Sequence, residues 1–164
     1  MEERKPILDI QNLYIDYKVY GGYAKVINGL NLKVYPGEKI SLVGESGCGK
    51  TTCGRTIIKL YEPTKGKILF EGKDVSKLHG KELLSFKKDV QVIFQDPYAS
   101  LDPRMTIGEI ISEGMHVHLK LSQKEMDERV ADLLNKVGLN AEYANRFAHE
   151  LSGGQRQRVG IARA

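Results

Sequence analysis

Residues 39–52 read KISLVGESGCGKTT and decide what kind of fold this chain forms. Within them GESGCGKT, residues 44–51, has the spacing G-x-x-x-x-G-K-T between a short apolar run and a helical pattern. Gly44 and Gly49 let the backbone take conformations closed to other residues and come close to an anion. Backbone N–H groups, the positive end of the next helix and the Lys50 ammonium all favour phosphate. The stretch therefore predicts a phosphate-binding loop between a buried strand and a helix.

The side chains of this loop suit a nucleoside triphosphate. Lys50 supplies a mobile point charge for the β- and γ-phosphates. Thr51 offers a hydroxyl to Mg²⁺, which prefers hard oxygen ligands, and Thr52 can hydrogen-bond the α-phosphate. We expect the nucleotide to be contacted by Gly44, Glu45, Ser46, Gly47, Cys48, Gly49, Lys50, Thr51 and Thr52.

The composition is that of a globular protein and excludes several other classes. The 164 residues are 41% hydrophobic and 28% charged, which is typical of one globular domain and not of a disordered chain. A net charge of +4 permits an anionic ligand without requiring nucleic acid. No apolar run approaches about 18 residues, and the N-terminal MEERKPILDI lacks the apolar core of a secretory signal. Cys48 and Cys53 cannot build a disulfide framework, so we expect a reducing compartment.

The first hundred residues are predicted to be rich in strands. Alternating apolar residues over 7–19 indicate an antiparallel strand near a sheet edge, followed by a turn at the glycine pair 21–22. The other strands are predicted over 25–35, 39–43, 66–71 and 90–95, those at 39–43 and 90–95 being buried, and helices over 50–61 and 80–88.

Only helical patterns follow, and one of them is especially clear. Ser122 and Glu125 have the spacing of a capping box, and Gly138 is a fitting stop. Between them one apolar stripe comprises Met126, Val130, Leu133, Leu134 and Val137. The other helices are predicted over 106–119, over 141–147 and from Ser152 to the end of the chain.

Residues 151–155, LSGGQ, repeat the chemistry of the phosphate loop at the start of another helix. The Ser152 hydroxyl and the bare N–H groups of Gly153 and Gly154 form a second anion-binding helix end. Taken alone, these residues are also compatible with a plain turn and helix cap. Since one nucleotide has one γ-phosphate, either the two helix ends converge within one chain or the second serves another subunit's nucleotide.

Three motifs together resemble the nucleotide-binding domain of ATP-binding cassette (ABC) proteins, in the family's order and over essentially the whole chain. They are the Walker A motif GESGCGKT, the Q-loop VIFQDP and the signature LSGGQRQRVGIARA. The resemblance implies an α/β P-loop NTPase core with an N-terminal antiparallel β-subdomain and a helical signature subdomain. It places the ATP-binding core at about 1–95, the helical subdomain at about 96–151 and the start of the signature helix at 152–164. It also implies ATP and Mg²⁺, and a head-to-tail dimer with two ATP molecules between the subunits.

The resemblance also implies roles for single residues. Tyr17 takes the place of an aromatic residue that stacks on adenine, with Tyr14 and Tyr20 as rivals. Gln95 corresponds to the residue that reaches Mg²⁺ or the attacking water and links the site to the transmembrane partner. The expected metal contacts are Thr51 and Gln95, the expected catalytic residues are Lys50, Gln95 and Ser152, and the signature contacts to nucleotide are Ser152, Gly153, Gly154 and Gln155.

A narrower similarity concerns transport. LYEPTKGKILFEGKDV and FQDPYASLDPRMTIGEII resemble ATPase subunits of bacterial dipeptide and oligopeptide importers, in particular the F-type subunit. This implies a peripheral protein on the cytoplasmic face of the membrane. Its partners would be a second ATPase subunit (D-type or identical), transmembrane permease subunits and, indirectly, an extracytoplasmic peptide-binding protein, but no nucleic acid. The alternatives are a soluble non-transport ABC ATPase and an importer of another small solute such as nickel.

The family pattern continues beyond the last residue of this chain. It has a strand ending in the Walker B aspartate, a catalytic glutamate, a D-loop and a switch histidine. None of these follows the signature here, and the four histidines precede it and are expected at the surface or its boundary: His79, His116, His118 and His149. We therefore expect a chain truncated before the Walker B strand, inactive in hydrolysis by itself and unstable because the strand at 39–43 would expose an edge.

Overall fold

A computed structural model describes residues 4–96 and 98–164 of the chain. Two compact units are distinguished, Met1–Val90 and Gln91–Ala164. The first contains a four-stranded sheet and two helices, and the second contains three helices and short 3-10 turns. Among the described residues, no helix has both the length and the apolar character that crossing a membrane requires.

The sheet of the first unit is antiparallel throughout, in the order β2-β1-β3-β4. Its strands are β1 (Leu8–Val19), β2 (Gly22–Val34), β3 (Lys65–Phe70) and β4 (Lys73–Asp74). The antiparallel pairing predicted for the first strand is confirmed, and β1 lies second in the order, next to the edge strand β2. β3 returns along the free side of β1, with Ile68 opposite Ile10, so β1 has a neighbour on each side.

Two helices of the first unit contribute to the core beside the sheet, α1 (Lys50–Ile57) and α2 (Gly80–Asp89). Cys53 of α1 and Phe86 of α2 are buried against side chains of the strands. Burial also raises the pKa of the Cys53 thiol. The apolar side chains buried in this core are Ile10, Leu13, Ile15, Ile27, Cys53, Ile68, Val75, Leu78 and Phe86.

Two predicted buried strands are wrong. Residues 39–43 and 90–95 are neither helix nor strand, and Val43 is 93% exposed. Within the described ranges neither segment has a hydrogen-bonded neighbour in a ladder. A strand needs such a neighbour, because each of its backbone N–H and C=O groups requires a partner.

Helix α1 ends four residues before its predicted end at position 61. Lys59 has a left-handed backbone (φ 57°), and its ammonium donates to the carbonyls of Ser76 and Leu78, both at 2.9 Å. The chain reverses there, so that the N–H groups of Leu60 and Tyr61 both donate to the Arg55 carbonyl, at 2.8 and 3.4 Å. Tyr61 therefore leaves the helix and folds back over its last turn.

The second unit packs three helices, α3 (Ile107–His118), α4 (Gln123–Lys136) and α5 (Gly153–Arg163). The helix predicted over 141–147 is instead a 3-10 turn, Ala141–Asn145. The apolar stripe predicted on α4 is confirmed, since Met126, Val130 and Leu134 are buried and Leu133 and Val137 pack beside them. Their neighbours in this core include Ile107, Ile110, Ile111, Val159 and Ala162.

The predicted capping box of α4 is also confirmed. The Ser122 hydroxyl accepts from the Glu125 N–H, and the Glu125 carboxylate accepts from the Ser122 N–H and hydroxyl. These bonds hold the pKa of Glu125 below its ordinary value. Gly138 ends the helix with φ 72°, as its sequence position predicts.

Candidate functional site

The glycine loop before α1 depends on two left-handed backbones. Gly47 has φ 82° and Gly49 has φ 93°. A Cβ on Gly49 would lie 3.1 Å from the Val26 carbonyl oxygen. Both the backbone conformation and this close approach therefore disfavour a side chain at position 49. Gly44 is expected to adopt a backbone conformation closed to other residues, but its φ lies outside the left-handed region. It lets the loop close on itself, since a Cβ there would lie 2.6 Å from the Cys48 sulfur.

Lys50 folds back over this loop. Its ammonium donates to the carbonyls of Gly44 and Glu45, both at 2.7 Å, and contacts the Cys48 sulfur at 3.4 Å. An ammonium has three N–H donors, so these contacts occupy all of them. The loop therefore carries one positive charge at its centre, at the start of a helix whose first turn contains no acidic residue.

The first turn of α1 presents two hydroxyl groups. Thr51 is exposed, and its oxygen is the hard donor that Mg²⁺ prefers. Thr52 is half-buried, and its hydroxyl accepts a hydrogen bond from the Tyr17 hydroxyl at 3.2 Å. An accepting hydroxyl keeps its own proton, so Thr52 can still donate to a phosphate oxygen.

Of the three tyrosines considered for base stacking, Tyr17 contacts the loop helix. It is 38% exposed and pairs across the sheet with Ala24. The Tyr14 hydroxyl lies instead beside Gly29, and Tyr20 is fully exposed at the hairpin turn. The structure thus brings Tyr17 and the phosphate loop together within one unit.

LSGGQ forms a capped helix start in the second unit. The Ser152 hydroxyl accepts from the Gln155 N–H at 3.3 Å, and the Gln155 amide oxygen accepts from the Ser152 N–H at 2.9 Å. The Gln155 amide nitrogen donates to the Tyr143 hydroxyl at 3.1 Å. Because the Ser152 hydroxyl accepts in this box, it keeps its own proton and can still donate to a phosphate oxygen.

A contact that sequence reasoning missed adjoins this helix start. The Arg156 guanidinium lies over the ring of Tyr98, 3.9 Å from its centroid, and donates to the His149 carbonyl at 3.3 Å. The Tyr98 ring also covers Gly153, where a Cβ would lie 3.8 Å from it. No motif signals this pairing, because 58 positions separate an ordinary loop tyrosine from a helical arginine.

Gln95 lies in the irregular segment that precedes Tyr98, and it is exposed. The next residue orders this segment, because the Asp96 carboxylate accepts from the N–H groups of Tyr98 and Ala99, at 2.8 and 3.4 Å. Gln95 and LSGGQ belong to one unit, and the phosphate loop and Tyr17 belong to the other. The predicted metal and catalytic role of Gln95 stays a prediction.

The histidines lie outside both helix starts. His79, His116 and His149 are exposed and His118 is half-buried, as expected for surface or boundary positions. Over 4–96 and 98–164, no group of three or more histidine, cysteine, aspartate or glutamate side chains is arranged to hold a metal ion.

The chain is similar in sequence to known proteins. A family model described as "ABC transporter" matches residues 27–164. The oligopeptide transport ATP-binding protein OppF of Bacillus subtilis is 53% identical over 163 residues, which cover 96% of this chain and 52% of that protein. The dipeptide transport ATP-binding protein DppF of Lactococcus lactis is 51% identical over 168 residues, which cover 100% of this chain and 54% of that protein. The chain thus spans about half the length of these relatives.

The fold has a close counterpart among solved structures. The ATP-binding cassette MJ0796, in a dimeric post-hydrolysis state bound to ADP and Pi, matches with a TM-score of 0.86 at 30% identity. The match covers 95% of this chain and 68% of that one. Sequence, fold and family match thus agree with the motifs at residues 44–51 and 151–155, and the chain belongs to the ABC transporter family.

Proposed function

We propose that the protein is the ATP-binding subunit of an ABC importer for short peptides. In this role it binds and hydrolyses ATP to drive uptake. The observation that carries the proposal is the phosphate loop, where the Lys50 ammonium lies 2.7 Å from the Gly44 and Glu45 carbonyls beside an uncapped helix start. Backbone N–H groups and one ammonium at a helix N-terminus are suited to a triphosphate.

Mg²⁺ would accompany the nucleotide and neutralise charge on its β- and γ-phosphates. Thr51 would hold the ion through its hydroxyl, and Gln95 is the second metal contact in this proposal. Lys50 orients the terminal phosphates, and Thr52 donates to the α-phosphate. Catalysis of phosphoryl transfer consists mostly of such positioning and charge neutralisation.

The signature helix serves the nucleotide of a second subunit in this proposal. The Ser152 hydroxyl, the Gly153 and Gly154 N–H groups and the Gln155 side chain would close on the γ-phosphate held by the partner's loop. Support comes from the Ser152 hydroxyl, which accepts a hydrogen bond and so keeps its own proton, and from the first turn of α5, which contains no acidic residue. The dimeric structure of MJ0796 is consistent with two such subunits.

The peptide substrate and the membrane partners are inferred from relatives. OppF and DppF are named for oligopeptide and dipeptide transport. We infer permease subunits, a D-type or identical second ATPase, and an extracytoplasmic peptide-binding protein as partners, at the cytoplasmic face of the membrane. Affinity purification of the full-length protein from its own cells tests this. We expect permease subunits to copurify, whereas recovery with ribosomes or DNA would overturn the transport role.

Lys50→Ala in the full-length protein tests the phosphate site. We expect loss of ATP binding by at least about 100-fold, because a charge-assisted contact to two phosphates disappears. Lys67→Ala, which removes an exposed ammonium on β3, is the matched control and should bind ATP normally. Calorimetric titration measures both, and retained binding in Lys50→Ala would refute the site.

Ser152→Ala tests the signature role, with Ser122→Ala as its control. Both serines cap a helix through the same box, so both variants should lose about 1 kcal/mol of stability. We expect only Ser152→Ala to lose ATP hydrolysis, while both keep ATP binding. Equal loss of ATP binding in Ser152→Ala and Lys50→Ala would contradict the two-subunit arrangement.

A further inference from the structure

Tyr61 packs against the tyrosine assigned to the nucleotide base. The ring centroids of Tyr17 and Tyr61 lie 6.0 Å apart with an interplanar angle of 87°, an edge-to-face pair. Such pairs are favoured by the quadrupoles of the two rings. Tyr61 lies outside the Walker A, Q-loop and signature motifs. In a helix that continued to position 61, its side chain would have a different orientation.

The position of Tyr61 is fixed from both sides along the chain. On its N-terminal side, the Arg55 carbonyl accepts from its N–H, and an Arg55 guanidinium nitrogen donates to its hydroxyl at 2.9 Å. On its C-terminal side, the Thr64 N–H donates to the Tyr14 carbonyl at 2.8 Å, and the Thr64 hydroxyl accepts from the Asp16 N–H at 2.9 Å. The segment is thus joined to α1 at one end and to β1 at the other.

This arrangement holds the Tyr17 ring at two points. Thr52 accepts from its hydroxyl, and Tyr61 packs against it. Its cross-strand neighbour, Ala24, is too small to cover it, so Tyr17 remains 38% exposed. A ring fixed in this way loses little rotamer freedom when a flat ligand stacks on it, and preorganisation of that kind strengthens binding.

We propose that Tyr61, held by Arg55, is a positioning residue that fixes the Tyr17 ring for stacking on the base of the nucleotide. The inference rests on the proposed function, since it presupposes that the protein binds ATP. Tyr61 acts through Tyr17 and does not touch the triphosphate. Its removal therefore weakens recognition of the base and leaves recognition of the phosphates intact.

The test compares two ligands in calorimetric titrations of the full-length protein, ATP and inorganic triphosphate. We expect Tyr61→Ala to weaken ATP binding about three- to tenfold, the range measured for aromatic pairs. Triphosphate binding should stay unchanged, which also shows that the variant is folded. Tyr61→Phe keeps the ring and should bind ATP within about twofold of the parent protein. If Tyr61→Ala does not fold, Tyr61→Leu fills the same space and should show the same selective loss.

Tyr23→Ala is the matched control. Tyr23 is 70% exposed and precedes Ala24, the cross-strand partner of Tyr17, so its side chain lies on the face of the sheet opposite to Tyr17. This variant should bind both ligands normally. Unchanged ATP affinity in Tyr61→Ala, equal weakening of ATP and triphosphate, or a Tyr61→Phe variant as weak as Tyr61→Ala would each overturn the inference. Failure of the proposed function has a different signature, namely a Lys50→Ala variant that still binds ATP.

Discussion

The two helix starts that carry the candidate phosphate contacts are built in opposite ways. Helix α1 begins after Gly49, with a left-handed N-cap and no side chain bonded to its first N–H groups. Helix α5 begins after Ser152, inside a complete capping box with Gln155. The first-turn N–H groups of α1 are therefore available to a ligand. At α5, the Ser152 hydroxyl already accepts from one of the first-turn N–H groups.

The difference indicates a division of labour. An uncapped start of a helix of only eight residues gains little from its own hydrogen bonds, so its order depends on the glycine loop, on Lys50 and on packing below it. A capped start is ordered by itself and can present one hydroxyl in a fixed direction. The start of α1 is suited to binding an anion, and the start of α5 is suited to contacting an anion that is already bound to another loop.

Gly49→Ala breaks the α1 start and should have the largest effect. The left-handed backbone (φ 93°) costs a residue with a Cβ about 1–2 kcal/mol, and that Cβ would also lie 3.1 Å from the Val26 carbonyl. We expect ATP affinity in the full-length protein to fall by at least about tenfold. Calorimetric titration with ATP gives the measurement.

Gly54→Ala is the control for this change, since it adds the same methyl group within α1. Nothing lies within 4 Å of a Cβ there, so we expect normal ATP binding and a gain of about 0.5–1 kcal/mol in helix stability. The account of Gly49 fails if both alanine variants bind ATP alike.

Tyr98→Ala perturbs the α5 start from outside the cap. It removes the ring under the Arg156 guanidinium, a contact worth about 0.5–1 kcal/mol at exposed sites. We expect a matching decrease in the free energy of unfolding, measured by urea denaturation, with triphosphate binding at α1 unchanged. Tyr98→Phe keeps the ring and should restore stability. An equal loss in both variants would show that the hydroxyl, and not the ring, matters.

Low pH should weaken a capping box that contains a carboxylate, as in α4, and leave the box of α5 intact. We expect this change in stability to be the smallest of the predicted effects. Hydrogen bonds from Ser122 keep the pKa of Glu125 below its ordinary value. Its contribution to stability is therefore complete above the pKa of the unfolded chain, about 4.3, and is lost as the pH falls through the folded value. Gln155 does not titrate, so the α5 box persists.

Hydrogen exchange of the first-turn amides, corrected for intrinsic rates, measures this contrast. Protection should decrease at the start of α4 below about pH 4.3 while staying constant at the start of α5. Glu125→Gln gives α4 the same kind of box as α5 and should abolish the pH dependence. A similar loss of protection at both helix starts would contradict the explanation.

Local signals explain which elements could be predicted. The Ser122 and Glu125 box, the α4 stripe and the Gly138 stop depend on residues within one helix, and all three appear as expected. The antiparallel hairpin of β1 and β2 needs only its own turn. The LSGGQ start likewise forms a cap from four consecutive residues.

Non-local partners explain what could not be predicted. Residues 39–43 have the composition of a buried strand, but composition does not supply the neighbouring strand that a ladder requires. The end of α1 depends on the Lys59 ammonium reaching carbonyls 17 and 19 positions away. The Tyr17–Tyr61 and Tyr98–Arg156 contacts likewise join residues 44 and 58 positions apart, and neither pair follows a periodicity.

The contacts of Lys50 make binding at the loop an exchange reaction. Its ammonium donates to two carbonyls and contacts one sulfur within the loop. A phosphate oxygen can take one of these protons only by displacing a present acceptor, so the observed affinity measures the difference between the two partners. The three N–H groups that stabilise the loop conformation are thus the same ones that can donate to a nucleotide. A substitution at position 50 therefore changes both the charge of the site and the conformation of the loop.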